Sequence, residues 1–188
     1  VLILVGTGML GPEVDKSLKD KHKILLTDIK EPPNSYDGDF LKLSVDNLDG
    51  VIKAAEGMDC IVNLSVLRTD RKLAFDVSTK GNYSMMEAAR INNIKRVINT
   101  GPHFQLVGQS YEEWDYNLNP DMPAQPGTRL YAISKFLGQE ICKRYADQFG
   151  IQLITLLYYN MRHHLDLTTP DFEPAELHND MTPFTTSW

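Results

Sequence analysis

Apolar runs of strand length alternate with helical stretches along most of the chain, and that alternation leaves few possible folds. "VLILV" (1–5), "KILLTDI" (23–29), "DCIVNLSV" (59–66), "RVINT" (96–100) and "QLITLLYY" (152–159) are rich in Val, Ile and Leu, and Phe40–Val45 is a weaker run of the same kind. Between them the period changes. Pro12 suits a first helical turn ahead of Val14 and Leu18; Leu48, Val51, Ile52 and Ala55 share one face of 48–56; and longer helices are predicted over 72–92 and about 129–149, with 101 to about 128 irregular. Strands that are apolar throughout are buried on both faces, and joining each to the next through a helix requires a parallel sheet. Right-handed crossovers make that sheet doubly wound, so the fold class is α/β.

Composition bounds the partners. A chain of 188 residues, 42% hydrophobic, fills one well-packed domain or one domain with an appendage. Nineteen basic residues against twenty-five acidic give a net charge of −6, with Lys and Arg scattered, so no nucleic-acid partner is expected. Cys60 and Cys142 lie far apart in apolar patterns and read as two reduced, buried thiols of a cytoplasmic protein. The apolar start is too short for a signal-peptide core or a membrane span. A chain that begins inside a strand and stops at "PFTTSW" reads as truncated or partly observed. "RHHLD" (162–166), with His178 and Asp180, lacks an i, i+4 His pair or a thiolate, and no metal is expected there.

Gly6, Gly8 and Gly11 form G-x-G-x-x-G between the first strand and the first helix, with Met9 and Leu10 inside the loop. In that position Gly6 permits a tight turn, Gly8 admits a pyrophosphate to the backbone, and Gly11 lets helix and strand pack closely. Asp28 ends the second strand, followed by Ile29, where a carboxylate accepts hydrogen bonds from the adenosine ribose. This is the fingerprint of a Rossmann fold binding NAD, with NADP disfavoured because Asp28 repels a 2′-phosphate, although Lys30 softens that preference.

Tyr131 and Lys135 stand four apart in "LYAISKFLGQE" and share a helix face. A phenol, with a pKa near ~10, is a sluggish proton donor and acceptor at neutral pH unless a cation stabilises its phenolate, and an ammonium one turn away supplies it. The same spacing is also that of an ordinary amphipathic helix with a half-buried Tyr and a solvated Lys.

Glycine loop, Asp28, "GMDCIVNLSV", "KGNYSMMEAA" and the Y-x-x-x-K pair together resemble the extended short-chain dehydrogenase/reductases of the NAD-dependent epimerase/dehydratase group, over residues 1 to about 160. The resemblance implies that Tyr131 exchanges a proton with a substrate hydroxyl or carbonyl while Lys135 activates it and binds the nicotinamide ribose. It implies cofactor contacts at Gly6, Gly8, Met9, Leu10, Gly11, Asp28, Ile29, Ser44, Val45, Leu64, Ser65 and Lys135. Val5 stands where the family's first glycine falls, Ser44 near adenine where it has Asp, and Ser78 where its central helix has Asn. The usual Ser or Thr beyond "RVINT" falls at Gly101, leaving Thr100 or His103 to contact the reacting oxygen, and Asn160 matches a substrate-contacting Asn. The implied substrate is sugar-like. Residues 1–160 would be the cofactor domain and 161–188 a remnant of the substrate-binding region, in a homodimer paired through helices 72–92 and 129–149. The competing reading is a catalytically impaired NAD(P)-binding regulator or sensor.

Overall fold

The computed structural model describes residues 1–67, 70–102 and 123–158, together with the backbone of 160–161 and 185–186. The chain runs β1 (Leu2–Leu4), α1 (Gly11–Leu18), β2 (Leu25–Asp28), β3 (Asp39–Lys42), α2 (Leu48–Ala54), β4 (Cys60–Asn63), α3 (Arg71–Ser78), α4 (Lys80–Ile91), β5 (Arg96–Pro102), α5 (Leu130–Phe149) and β6 (Gln152–Tyr158). Among the described residues these strands form one parallel sheet in the order β3-β2-β1-β4-β5-β6. The short strands β7 (Asn160–Met161) and β8 (Thr185–Thr186) pair separately. From β1 the chain winds outward to β3, then returns to β4 on the other side of β1. The reversal opens a crevice at the carboxyl ends of β1 and β4, where ligands bind in such sheets.

The two faces of the sheet bury separate cores. Leu2 and Leu4 face one way, into a cluster with Val51, Ile61, Met85 and Met86, while Ile3 faces the other, with Leu26 and Val62 against Leu10, Val14 and Leu18. That is the period-two alternation of a strand buried on both sides. Local signals set the helix boundaries. Pro12 lies in the first turn of α1, the Asn47 side chain accepts from Gly50 N–H at the start of α2, Asp70 accepts from Leu73 N–H at the start of α3, and Gly150 ends α5 with φ 63°.

Two expectations need correction. The long helix predicted over 72–92 is two helices, kinked at Thr79 (φ −102°, ψ −66°), whose hydroxyl donates to the Phe75 carbonyl at 2.7 Å. Both thiols were expected to be buried, but Cys60 is only half-buried; Cys142 is fully buried. Burial pushes the Cys142 thiol up to about 12. At pH 8 a disulfide reagent should therefore label native Cys142 at least about 10³-fold more slowly than a free thiol, the difference vanishing in denaturant; equal rates before and after unfolding would contradict this environment.

Candidate active site

The crevice is a cleft of about 790 Å³. The glycine loop forms one wall. Gly6 N–H still pairs with the Thr27 carbonyl at 2.9 Å, so the turn begins as a continuation of β1. A Cβ on Gly6 would lie 2.1 Å from the Leu26 side chain, and one on Gly11 would lie 1.7 Å from the Gly6 carbonyl oxygen. Glycine at 11 is thus demanded by backbone packing on backbone. Gly8 differs: a Cβ there meets nothing within 4 Å, because the position opens onto the cleft.

Val5 takes the left-handed conformation, φ 59°. A β-branched residue is costly there, which gives a physical sense to its departure from glycine. Val5→Gly should relieve about 1–3 kcal/mol of backbone strain while losing a similar amount of packing and unfolded-state restriction. The expected net change in urea denaturation is under about 1 kcal/mol, against about 2 kcal/mol for a half-buried Val→Gly at an ordinary φ.

Asp28 is 4% exposed, yet lines the cleft. Its Oδ2 accepts from the Thr7 N–H at 3.0 Å and the Thr7 hydroxyl at 2.7 Å, and its Oδ1 from the Lys30 N–H at 3.2 Å. These bonds fasten the glycine loop to the end of β2, and the carboxylate keeps lone pairs for further donors.

On the opposite wall, Tyr131 and Lys135 project from α5 into the same cleft. Lys135 is 4% exposed, and its ammonium donates to the Ser65 carbonyl just beyond β4. The solvated-lysine alternative for this pair therefore fails. Met9, Leu10, Ile29, Ser44, Val45, Leu64, Ser65 and Thr100 line the cleft as well, whereas Gly6 lies beneath the loop. The Ser44 hydroxyl donates to Asp46. The Thr100 hydroxyl donates to the Asn63 carbonyl at 2.8 Å, so its proton is engaged within the sheet. His103, residues 162–166, His178 and Asp180 lie outside the described residues, as does the side chain of Asn160.

Sequence reasoning missed Thr7, Val66, Leu67 and Tyr158, which also line the cleft. Thr7 carried a usable signal: a hydroxyl between Gly6 and Gly8 faces the acid that ends β2. Among the described residues, no three or more His, Cys, Asp or Glu side chains group to hold a metal, and no helix is long and apolar enough to cross a membrane.

A parallel sheet in this order, with a glycine loop at its crevice and a strand-end acid fastened to that loop, defines a dinucleotide-binding Rossmann fold. The chain belongs to the NAD dependent epimerase/dehydratase family, whose sequence pattern matches residues 1–162. It is 23% identical to GDP-mannose 3,5-epimerase 1 of Oryza sativa subsp. japonica over 170 residues, covering 82% of this chain and 44% of that protein. Similar solved structures include a short-chain dehydrogenase/reductase superfamily protein from Agrobacterium tumefaciens with bound NAD (TM-score 0.78, 18% identity, 88% of this chain and 51% of that one). Another is UDP-glucose 4-epimerase from Thermotoga maritima with UDP-glucose (TM-score 0.74, 15% identity, 86% and 56%). The chain spans about half the length of the relatives it matches.

Proposed function

We propose that this protein is an NAD-dependent oxidoreductase, epimerase or dehydratase acting on a sugar, sugar nucleotide or related polyhydroxylated substrate. The observation that carries this reading is the convergence of Tyr131 and Lys135 with the glycine loop and Asp28 on one cleft. NAD supplies the hydride acceptor and donor. The backbone of Gly8 to Gly11, at the start of α1, holds the pyrophosphate, and Asp28 accepts from the adenosine ribose. Lys135 holds the nicotinamide ribose and stabilises the Tyr131 phenolate; Tyr131 removes a proton from, or returns it to, the substrate oxygen. The open space above Gly8 and the buried carboxylate of Asp28 suit that cofactor, and the Asp28 charge favours NAD over NADP.

Likeness to GDP-mannose 3,5-epimerase and UDP-glucose 4-epimerase supports a sugar-like substrate. Residues 1–160 form the cofactor domain and 161–188 belong to the substrate-binding region. A second copy is the partner of α4 and α5, where Tyr83, Ile91, Leu137 and Phe149 are exposed. Two free thiols support a cytoplasmic setting.

One observation favours a second reading, an NAD-binding regulator or sensor without turnover: the Thr100 hydroxyl is engaged by Asn63, and Gly101 has no side chain. NAD titration followed by a turnover screen over sugars and sugar nucleotides separates the two. Turnover lost in Tyr131→Phe supports catalysis; tight NAD binding with no turnover supports the regulator. A protein that does not bind NAD, or turnover that survives Tyr131→Phe unchanged, removes the proposed mechanism.

A further inference from the structure

Beneath the cleft lies a chain of buried amides that the chemistry above does not use. Asn63 ends β4, and Asn99 stands opposite it in the β4–β5 register. The Asn63 Nδ2 donates to Asn99 Oδ1 at 2.9 Å and to Asn82 Oδ1 at 3.3 Å; Asn99 Nδ2 donates to Gln139 Oε1 at 3.1 Å, and Asn82 Nδ2 to the Ser78 carbonyl at 2.6 Å. The Cys142 thiol, protonated by its burial, donates to Asn82 Oδ1 at 3.2 Å. The three asparagines are at most 3% exposed and Gln139 is 7% exposed.

The direction of these bonds is fixed from both ends. Ser78 offers a carbonyl, which only accepts, so Asn82 must turn its Nδ2 there and its oxygen toward Asn63. Asn63 must then meet that oxygen with its Nδ2. This leaves the Asn63 Oδ1 aimed at the Ser65 N–H, which only donates, at 3.1 Å. The same Ser65 presents its carbonyl to the Lys135 ammonium. Lys135, Gln139 and Cys142 lie on one face of α5, so one helix carries both the lysine and the far anchors of the amides that hold the lysine's acceptor. Every side chain in the chain of amides is neutral, so it fixes geometry without placing a carboxylate among its links.

We infer that Asn63 is a positioning residue for Lys135: its carboxamide, oriented by Asn82, Asn99 and Gln139, locks the segment after β4 so that the Ser65 carbonyl holds the lysine ammonium at the cleft. This rests on the proposed function only in assigning Lys135 a catalytic task; the geometric claim stands apart from it. The backbone before Ser65 is tied to β1, where the Leu64 N–H donates to the Leu4 carbonyl at 3.0 Å, and the Asn63 carboxamide extends that hold by one residue to the Ser65 N–H. A buried carboxamide with all of its donors and its acceptor engaged is costly to reorient.

The test is the reactivity of the Lys135 amine, read by mass spectrometry after brief treatment of the cofactor-free protein with an acylating ester, with exposed Lys53 and Lys143 as internal references. Asn63→Ala and the isosteric Asn63→Asp, which turns an oxygen toward two amide oxygens, should each raise the Lys135 rate relative to the references by about fivefold or more, the factor corresponding to one net hydrogen bond. Gln139→Met, two links away, should raise it less and serves if the Asn63 variants do not fold. Met85→Ala, a buried truncation on α4 outside the amide chain, should lower the melting temperature without a selective rise at Lys135. A Lys135 rate unchanged in the Asn63 variants, or rising equally in Met85→Ala, overturns the inference. The assay contains neither NAD nor substrate, so its outcome decides the positioning role even where turnover is absent and the catalytic reading fails. Where turnover is present, Asn63→Ala should lower kcat and raise KM for NAD together, the milder form of what loss of the Lys135 ammonium does, and a change in KM alone counts against positioning.

Discussion

Tyr131→Phe is expected to bind NAD within about twofold of the parent protein while turnover falls by about 10²–10⁴-fold, the usual contribution of a positioned acid-base group. The substitution removes one oxygen and leaves the ring, so packing on α5 is preserved and the loss reports the hydroxyl alone. Lys135→Met should behave differently. It removes the ammonium that donates to the Ser65 carbonyl and, on the proposed mechanism, also reaches the cofactor ribose, so both NAD affinity and turnover fall. The paired measurement is isothermal titration with NAD beside steady-state rates. A phenylalanine variant that loses affinity and rate together would assign Tyr131 to binding rather than to proton transfer.

Gly11→Ala should cost about 3 kcal/mol or more of folding stability, the upper range for forced overpacking, and at least about 100-fold in NAD affinity because α1 is displaced from the loop. Its added methyl would meet the carbonyl oxygen, carbonyl carbon and Cα of Gly6 at 1.7, 2.3 and 2.6 Å, all backbone, so no rotamer change relieves it. Gly8→Ala provides the contrast. Its methyl meets no protein atom within 4 Å, so stability should stay within about 0.5 kcal/mol, as for an uncomplicated surface substitution, while NAD affinity falls because the methyl occupies space the pyrophosphate needs. Urea denaturation and NAD titration of both variants separate a glycine needed by the fold from one needed by the ligand. Equal effects on both properties in the two variants would refute this division of roles.

The sheet was legible because its strands are apolar on both faces and separated by helical spacing, a pattern few folds share. Gly11 and Asp28 were legible because loop chemistry restricts which residues serve there. The Thr79 kink was not, because nothing in the helical period marks it: Ala74, Val77, Met85 and Ala88 keep the spacing of one continuous helix, and the break lies where another helix packs closely. A Cβ on Gly138 of α5 would lie 2.1 Å from the Ser78 carbonyl oxygen, so that carbonyl sits where a neighbouring helix approaches without any side chain between. The amide chain was hidden for a related reason. Asn63, Asn82, Asn99 and Gln139 are spread over 77 positions, and each alone reads as a polar residue at a strand end or on a helix; the parallel register of β4 and β5 joins Asn63 to Asn99, and the packing of α4 and α5 on that face adds Asn82 and Gln139.

Leu2 pairs with Leu25 on one side and with Ile61 on the other. The innermost strand is therefore the first of the described strands to be synthesised, yet it gains its second neighbour only after the chain has run out to β3 and come back. Closing so long a loop is an entropic cost met before any contact repays it, so the joining of β1 to β4 is expected to come after the pairing of β1 with β2. The mouth that receives the dinucleotide is cut between those same two strands. Cofactor capture during refolding should accordingly follow, rather than accompany, the formation of the β1–β3 half, and NAD added to a refolding chain should report the closing of the β1–β4 seam.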